Sequence, residues 1–305
     1  MNIYFRAVGF STPDSMTSKH AKKQIIEGSN KKFVDNQHTG KTYMEALRMC
    51  GDGIGIMIKG NITHETEDYE GIDIIPYAVS THNTNCLKYD VDFDESFEDQ
   101  SIMIYYQEEN FESELTFLLQ EEVAFKSNKE AFIAHGQEDK IFNKEKMVNV
   151  SALSIDGTVV LPTFKNELSD ELQKIEEDYV KHLINRLKSG DLLAEELLKS
   201  YEEETTELIR ERLHEEDFLT VIESYFMPED ENAFTYSLLG TIEDFKEITN
   251  SATGEIIYKL LVDVTGIKLQ LYINKQDLVG VPSKSMRFLG SCRLQGNVLY
   301  TNNKN

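Results

Sequence analysis

Residues 256–273 read IIYKLLVDVTGIKLQLYI, and this stretch decides the fold expected for the C-terminal part of the chain. Two apolar runs rich in β-branched and aromatic residues flank Thr265 and Gly266. Such runs favour strands, and a glycine-containing pair between them is typical of a tight turn. The pattern therefore predicts an antiparallel hairpin.

Further strands are predicted on both sides of this hairpin, at residues 237–242 and 288–294. Four or five twisted strands in a short segment can avoid exposed edges by closing on themselves. Residues 232–305 are therefore predicted to form a small antiparallel β-barrel that resembles an OB-fold.

The N-terminal part, residues 1–165, mixes strand and helix patterns without the regular alternation of a doubly wound sheet. Alternation predicts a first strand at residues 3–8, and further strands are predicted at residues 54–58, 72–79, 87–93 and 102–106. Short helices are predicted near residues 44–47 and 111–119. Asp156-Gly157 between two apolar runs predicts a hairpin over residues 148–162. The fold class predicted for this part is α+β.

The middle part, residues 166–231, is predicted to be an acidic helical subdomain. Apolar residues recur at helical spacing, Ser189-Gly190-Asp191 interrupts the pattern, and Glu202-Glu203-Glu204 separates two further short helices. The acidic run itself is interpreted as a solvated helix face.

The whole chain of 305 residues carries 54 acidic and 31 basic side chains, a formal net charge of −23. Residues 166–231 hold 21 acidic and 7 basic residues, whereas residues 232–305 hold 6 acidic and 8 basic ones. An acidic field repels nucleic-acid phosphates and anionic lipid, which argues against both as partners of the whole chain. Only the C-terminal part escapes this objection.

The sequence predicts a cytoplasmic protein that does not enter a membrane. The N-terminus lacks a signal-peptide pattern, and no stretch approaches the roughly 18 apolar residues of a membrane span. The three cysteines, Cys50, Cys86 and Cys292, are scattered and are interpreted as reduced thiols.

No catalytic residue, cofactor site or metal site is predicted. Gly40-Lys41-Thr42 resembles the end of a phosphate-binding loop, but Asp35 replaces the glycine that the motif needs five residues earlier. The seven histidines form no metal-ligand pair, and no G-x-S-x-G nucleophile motif is present.

Arg287, Arg293 and Gln295 form the candidate binding patch of the sequence. Period-two alternation places them on one face of a strand, opposite the core face that holds Phe288 and Leu294. An outward face with two arginines and a glutamine suits an anion, a nucleic-acid strand or an acidic partner. The alternative is that the arginines pair with the protein's own acidic middle part.

Several turns and strand ends resemble those of an uncharacterised family, a domain of unknown function from clostridial and related Firmicutes proteins. The segments that carry the resemblance are VSALSIDG at residues 150–157, FMP at 226–228, YSLLG at 236–240, INKQDLVG at 273–280, RFLG at 287–290 and LQG at 294–296. The resemblance implies a cytoplasmic bacterial protein and assigns it no activity.

Three functional hypotheses follow from the sequence. The first is a non-enzymatic binding or scaffold protein that engages another protein through the acidic middle part and the C-terminal part, whose charges contrast. The second is a nucleic-acid-associated protein that uses the face of Arg287, Arg293 and Gln295. The third is an enzyme whose site is assembled from residues distant in sequence.

Overall fold

The computed structural model describes residues 2–11, 26–36, 41–63, 68–82, 84–86, 88–92, 101–108, 111–123, 146–162, 179–188, 190–215, 219, 222–229 and 234–299. The chain divides into two compact units. The first unit joins Met1–Val160 to Tyr225–Asn305, and the second unit is Leu161–Ser224.

A four-stranded antiparallel sheet lies in the N-terminal half of the first unit. Its strands follow the chain order β1–β2–β3–β4. They are β1 (Asn30–Asn36), β2 (Lys41–Met49), β3 (Ile54–Thr63) and β4 (Asp68–Ala78).

Twelve strands of the described chain form a second, larger sheet. The N-terminal half supplies β5 (Thr84–Cys86), β6 (Lys88–Asp92), β7 (Ser101–Glu108), β8 (Phe111–Leu119), β9 (Lys146–Ser154) and β10 (Gly157–Val160). The C-terminal part supplies β11 (Tyr225–Pro228), β12 (Thr235–Thr249), β13 (Ile256–Val264), β14 (Ile267–Asn274), β15 (Leu278–Val279) and β16 (Arg287–Leu299).

The expected α+β fold class with a C-terminal barrel is wrong. Strands dominate the described residues, and the strands of residues 232–305 do not close on themselves. Strand β9, from the N-terminal half, lies between β14 and β16. It pairs in parallel with β14 and antiparallel with β16, so both ends of the first unit's sequence share one sheet.

The predicted hairpin at residues 256–273 is confirmed. Strands β13 and β14 are antiparallel, and the last pair before the turn is Val264 with Ile267. Thr265 and Gly266 have φ values of 50° and 88°. A two-residue turn with positive φ at both positions matches the twist of the flanking strands, which explains why glycine is needed there.

The predicted hairpin at Asp156-Gly157 is wrong, although strands lie on both sides of it. Strand β10 pairs with β15 and β16, whereas β9 pairs with β14, β16 and β5. Gly157 is required by packing: a Cβ there would lie 2.4 Å from the Phe288 ring.

Three local predictions failed because short apolar runs fit more than one structure. Residues 3–8, expected as a strand, form a 3₁₀ helix that Asn2 caps and Gly9 ends at φ 85°. Residues 44–47 and 111–119, expected as helices, lie in β2 and β8. In β2 both faces are buried, since Met44 and Glu45 are each almost inaccessible, and a strand buried on both faces shows no alternation.

The described residues of the second unit include two helices, α1 (residues 179–188) and α2 (Leu192–Glu215). The predicted interruption between them is confirmed: Gly190 has φ 87°, and Asp191 accepts a hydrogen bond from the Leu193 amide at 3.0 Å. The predicted break at residues 202–204 is wrong, because α2 runs through it. None of the helices in the described residues is long and apolar enough to cross a membrane.

The insertion of β9 predicts that residues 232–305 do not fold alone. Without β9, the edges of β14 and β16 lose their hydrogen-bonded partner and core residues such as Leu271 and Leu294 become exposed. The isolated fragment should show no cooperative thermal transition by circular dichroism.

A chain that lacks residues 161–224 is the matched control. A flexible linker of about 10 residues replaces the deleted unit and keeps every strand of the large sheet. This control should unfold cooperatively. A cooperative transition of the isolated fragment would contradict the prediction.

Candidate functional site

The outward placement expected for Arg287 and Gln295 is wrong. Arg287 is 3% exposed and Gln295 is 2% exposed. Arg293 is half-buried, and its guanidinium carbon lies 4.4 Å from the centre of the Tyr4 ring, a cation–π contact. The nucleic-acid hypothesis rested on an open face, and this burial removes that support. A binding role of the three residues stays a prediction.

Both faces of β16 are covered, which is why alternation alone misassigned its second face. Phe288, Cys292 and Leu294 pack in the main core, as expected. The opposite face meets the N-terminal 3₁₀ helix at Arg293 and strand β4 at Gln295. Alternation identifies two faces of a strand but does not show what lies against each of them.

A row of buried polar side chains joins the large sheet to the end of β4 and the residues that follow it. We call this row the polar seam. Its members come from the middle strands of the large sheet and bond to residues 76–81. They are Asn149 and Ser151 on β9, Gln270 and Tyr272 on β14, and Gln295 on β16.

The bonds of the seam go mainly to backbone groups. Asn149 accepts from the Ser80 amide at 2.9 Å and donates to the Ser80 carbonyl at 2.6 Å. Ser151 donates to the Ala78 carbonyl at 2.9 Å, and Tyr272 donates to the Val79 carbonyl at 2.7 Å.

Gln295 and Gln270 complete the seam at its two ends. With its amide oriented to suit its neighbours, Gln295 donates to the Pro76 carbonyl and accepts from the Ala78 amide at 2.9 Å. Gln270 accepts from the Thr81 hydroxyl at 3.0 Å. The candidate ligand residue Gln295 is thus part of the internal structure.

Replacing Asn149 by leucine should destabilise the protein strongly. The amide and carbonyl of Ser80 would lose their partner in a buried place, at about 1–3 kcal/mol for each group. We expect the free energy of unfolding in urea to fall by about 3 kcal/mol.

Asn30→Leu is the matched control, because Asn30 is exposed on β1 and the same substitution there should change stability by less than about 0.5 kcal/mol. Equal effects of the two substitutions on the free energy of unfolding would show that the seam contributes nothing to stability.

A second buried polar group, the carboxylate cluster, consists of Tyr43, Glu45, Lys59 and Glu122. Glu45 accepts from the backbone amides of Glu122 and Val123 at 2.7 and 3.2 Å. Lys59 forms an ion pair with Glu122 and donates to the Leu119 carbonyl at 3.1 Å. The Tyr43 hydroxyl donates to Glu122 at 3.4 Å.

Burial dominates the electrostatics of the cluster. It raises the pKa of Glu45 from 4.5 to about 7; the nearby Glu122 carboxylate also raises this pKa, whereas Lys59 and the two backbone amides lower it. Burial, with the charges of Glu122 and Glu45, raises the pKa of the Tyr43 hydroxyl as well. Glu45 therefore changes charge near neutral pH.

Shifted acid–base groups occur at catalytic sites and in structural ion-pair networks alike. A general base must come within hydrogen-bond distance of its substrate. Glu45 and Glu122 are 2% and 1% exposed, so they offer a substrate almost no surface. The cluster ties β2 and β3 to the segment after β8, which is a structural role.

No group of three or more histidine, cysteine, aspartate or glutamate side chains is arranged to hold a metal ion in the part of the chain that the structure describes.

The Glu45 pKa predicts a specific pH dependence of stability. A carboxyl group whose folded pKa lies above its unfolded value stabilises the fold at low pH, and this contribution is lost as pH rises through the folded pKa. Glu45→Gln removes the titration. Relative to wild type, the free energy of unfolding of the variant should increase by on the order of 3 kcal/mol as pH rises from about 5 to about 8.

Glu247→Gln provides the control for urea unfolding across this range. Glu247 is exposed on β12, and its hydrogen bond with Lys275 lowers its pKa, so its titration is complete below pH 5. The difference in free energy of unfolding between this variant and wild type should not change with pH. A difference that is independent of pH for Glu45→Gln as well would contradict the prediction.

The described surface of the second unit carries an apolar stripe, which we define as Leu193, Leu197 and Tyr201 on α2 with Tyr179 on α1. Leu193 is 57% exposed, Leu197 is 37% exposed and Tyr179 is 44% exposed. The rings of Tyr179 and Tyr201 meet edge to face with centroids 6.3 Å apart. Large apolar side chains grouped in this way on a surface mark interaction sites.

An acidic flank runs beside the apolar stripe. We define it as Glu196, Glu203 and Glu207 of α2, all of which are exposed. On the other side of the stripe, Ala194 is fully buried and faces inward. The helical spacing and the charge are visible in the sequence, but periodicity alone does not distinguish exposed apolar positions from buried ones.

Comparison with curated proteins and comparison with solved structures find no match. A comparison with protein families matches residues 5–296 to DUF3881, described as a domain of unknown function with reference to an E. rectale gene. The match spans nearly the whole chain and confirms the resemblance seen in the turn and strand-end motifs. The chain therefore belongs to the DUF3881 family of domains of unknown function.

Proposed function

We propose that this protein is a cytoplasmic, non-enzymatic binding protein that holds a partner protein on its second unit. The observation that supports the proposal is the apolar stripe with its acidic flank. An isolated exposed leucine is ordinary on a protein surface, but several large apolar side chains in one place are not.

The contrast between the two units also favours binding over catalysis. In the first unit, Glu45, Tyr43 and Glu122 are enclosed by the structure. In the second unit, apolar side chains that would be stabilised by burial lie at the surface of a helix. Burying a leucine or a tyrosine against a partner removes apolar area from water at about 25 cal/mol per Å².

The stripe also has suitable anchoring residues. Tyrosine is enriched among the residues that dominate binding energies, because it combines a large apolar ring with a hydroxyl. Tyr179 and Tyr201 contact each other, which holds both rings in place before a partner arrives. Side chains that are already ordered lose less entropy on binding.

Leu193→Gln combined with Leu197→Gln should abolish capture of the partner. Glutamine has nearly the helix propensity of leucine, so α2 should persist while its apolar surface is lost. The measurement is affinity capture of the tagged full-length protein from its native cytoplasm, with and without nuclease. A stoichiometric protein should be captured by wild type, survive nuclease and be absent with the variant.

Val279→Thr combined with Val281→Thr is the matched control. Both valines are exposed, at 67% and 74%, and they lie in the first unit. This variant should retain the partner. Retention of the partner by the glutamine variant would contradict the proposal. Loss of the partner from wild type on nuclease treatment would favour the nucleic-acid hypothesis.

A further inference from the structure

We infer that the segment of the partner that docks on the stripe is a basic amphipathic helix. This inference rests on the proposed function and adds the chemistry of the partner to it. It follows from the spacing of the stripe, from the position of the acidic flank and from the absence of a free backbone edge along a helix.

The apolar stripe has the spacing of a helix-binding surface. Leu193, Leu197 and Tyr201 recur every four residues, so they advance along one side of α2 with a drift of about 40° per step. They span about 12 Å of the helix axis. Rows of side chains four apart form the ridges that pack into the grooves of a second helix.

A helical partner fits this surface better than an extended one. An extended peptide gains affinity by pairing with the open edge of a sheet. The interior of an α-helix offers no such edge, because its amides and carbonyls are bonded to each other. A partner on α2 must therefore be recognised through side chains, and an apolar helix face presents them at matching intervals.

The acidic flank determines the charge of the partner. At 100° per residue, Glu196, Glu203 and Glu207 lie together on the side of the stripe away from Ala194. Lys199 and Arg210 lie farther round the helix beside this flank, so three glutamates are set against two basic residues and the net charge stays negative. A helix that covers the stripe would place one of its own flanks over these glutamates.

Lysine or arginine on that flank of the partner would meet the glutamates, whereas acidic residues would be repelled. Charge complementarity of this kind accelerates association and excludes wrong partners. The acidic flank also disfavours anionic lipid and nucleic acid as ligands of the stripe, because both carry negative charge.

A designed peptide tests the inference on the full-length protein. The probe is a fluorescent peptide of about 18 residues, long enough to form a helix when bound, with leucines at helical spacing and lysines on one flank. Two matched peptides accompany it: one has the same composition in scrambled order, and the other has glutamate in place of lysine. Binding is measured by fluorescence anisotropy at low and at physiological salt.

The ordered basic peptide should bind at least about tenfold more tightly than either matched peptide, a difference of about 1.4 kcal/mol. Glu196→Lys combined with Glu203→Lys should weaken its binding by about tenfold, because two attractive contacts become repulsive. Glu195→Lys is the control: Glu195 is exposed on the same helix but faces away from the stripe, so this change should alter binding less than threefold or so.

The outcomes separate the inference from the proposed function. Equal binding of the ordered and scrambled peptides, or equal effects of the charge reversals at the flank and at Glu195, would overturn the inference as non-specific attraction. Failure of the basic peptide to bind, while cellular capture still depends on Leu193 and Leu197, would overturn the inference and leave the proposed function intact. The ordered, scrambled and glutamate peptides are compared on one unaltered protein, so misfolding of a variant cannot produce a difference between them.

Discussion

The polar seam is the constraint on which the first unit depends. Backbone groups at the end of a strand that is buried against another sheet need hydrogen-bond partners, and each one left without a partner costs about 1–3 kcal/mol. Side chains of β9, β14 and β16 supply these partners to residues 76–81. A shift of the four-stranded sheet by one residue would break most of these bonds together, so the seam sets its register on the large sheet.

The seam in turn depends on the insertion of β9 between β14 and β16. Asn149 and Ser151 lie on the seam side of β9, whereas Val148 and Val150 lie on its core side. One strand from the N-terminal half thus completes both the main core and the contact between the sheets. The carboxylate cluster adds a second connection, from Glu45 and Lys59 to the segment after β8. The first unit is therefore held together by two buried polar networks, and Glu45, whose pKa is raised, belongs to the second of them.

The second unit has the opposite character in its described part. Helix α2 leaves Leu193 and Leu197 in water beside a row of glutamates. Exposed apolar area has a cost in free energy that burial against a partner would remove, and the charge beside it restricts which partner is accepted. We therefore propose a β-rich first unit and a second unit whose helix α2 binds a basic amphipathic helix.

The sequence by itself determined the features that depend on neighbouring residues. Thr265-Gly266 specified a tight hairpin because positive φ is required at both turn positions, and the interruption at residues 189–191 followed from a glycine and a capping aspartate. The helical spacing of the stripe and its charges could also be read from the chain.

Only the tertiary structure decided which of these positions are buried, because burial depends on segments distant in sequence. β9 paired with strands more than one hundred residues away instead of with β10, and β4 covered the face of Gln295 that alternation had assigned to solvent. Local patterns encode turns and periodicity, whereas the partner of a strand face is selected by the free energy of the whole packed unit.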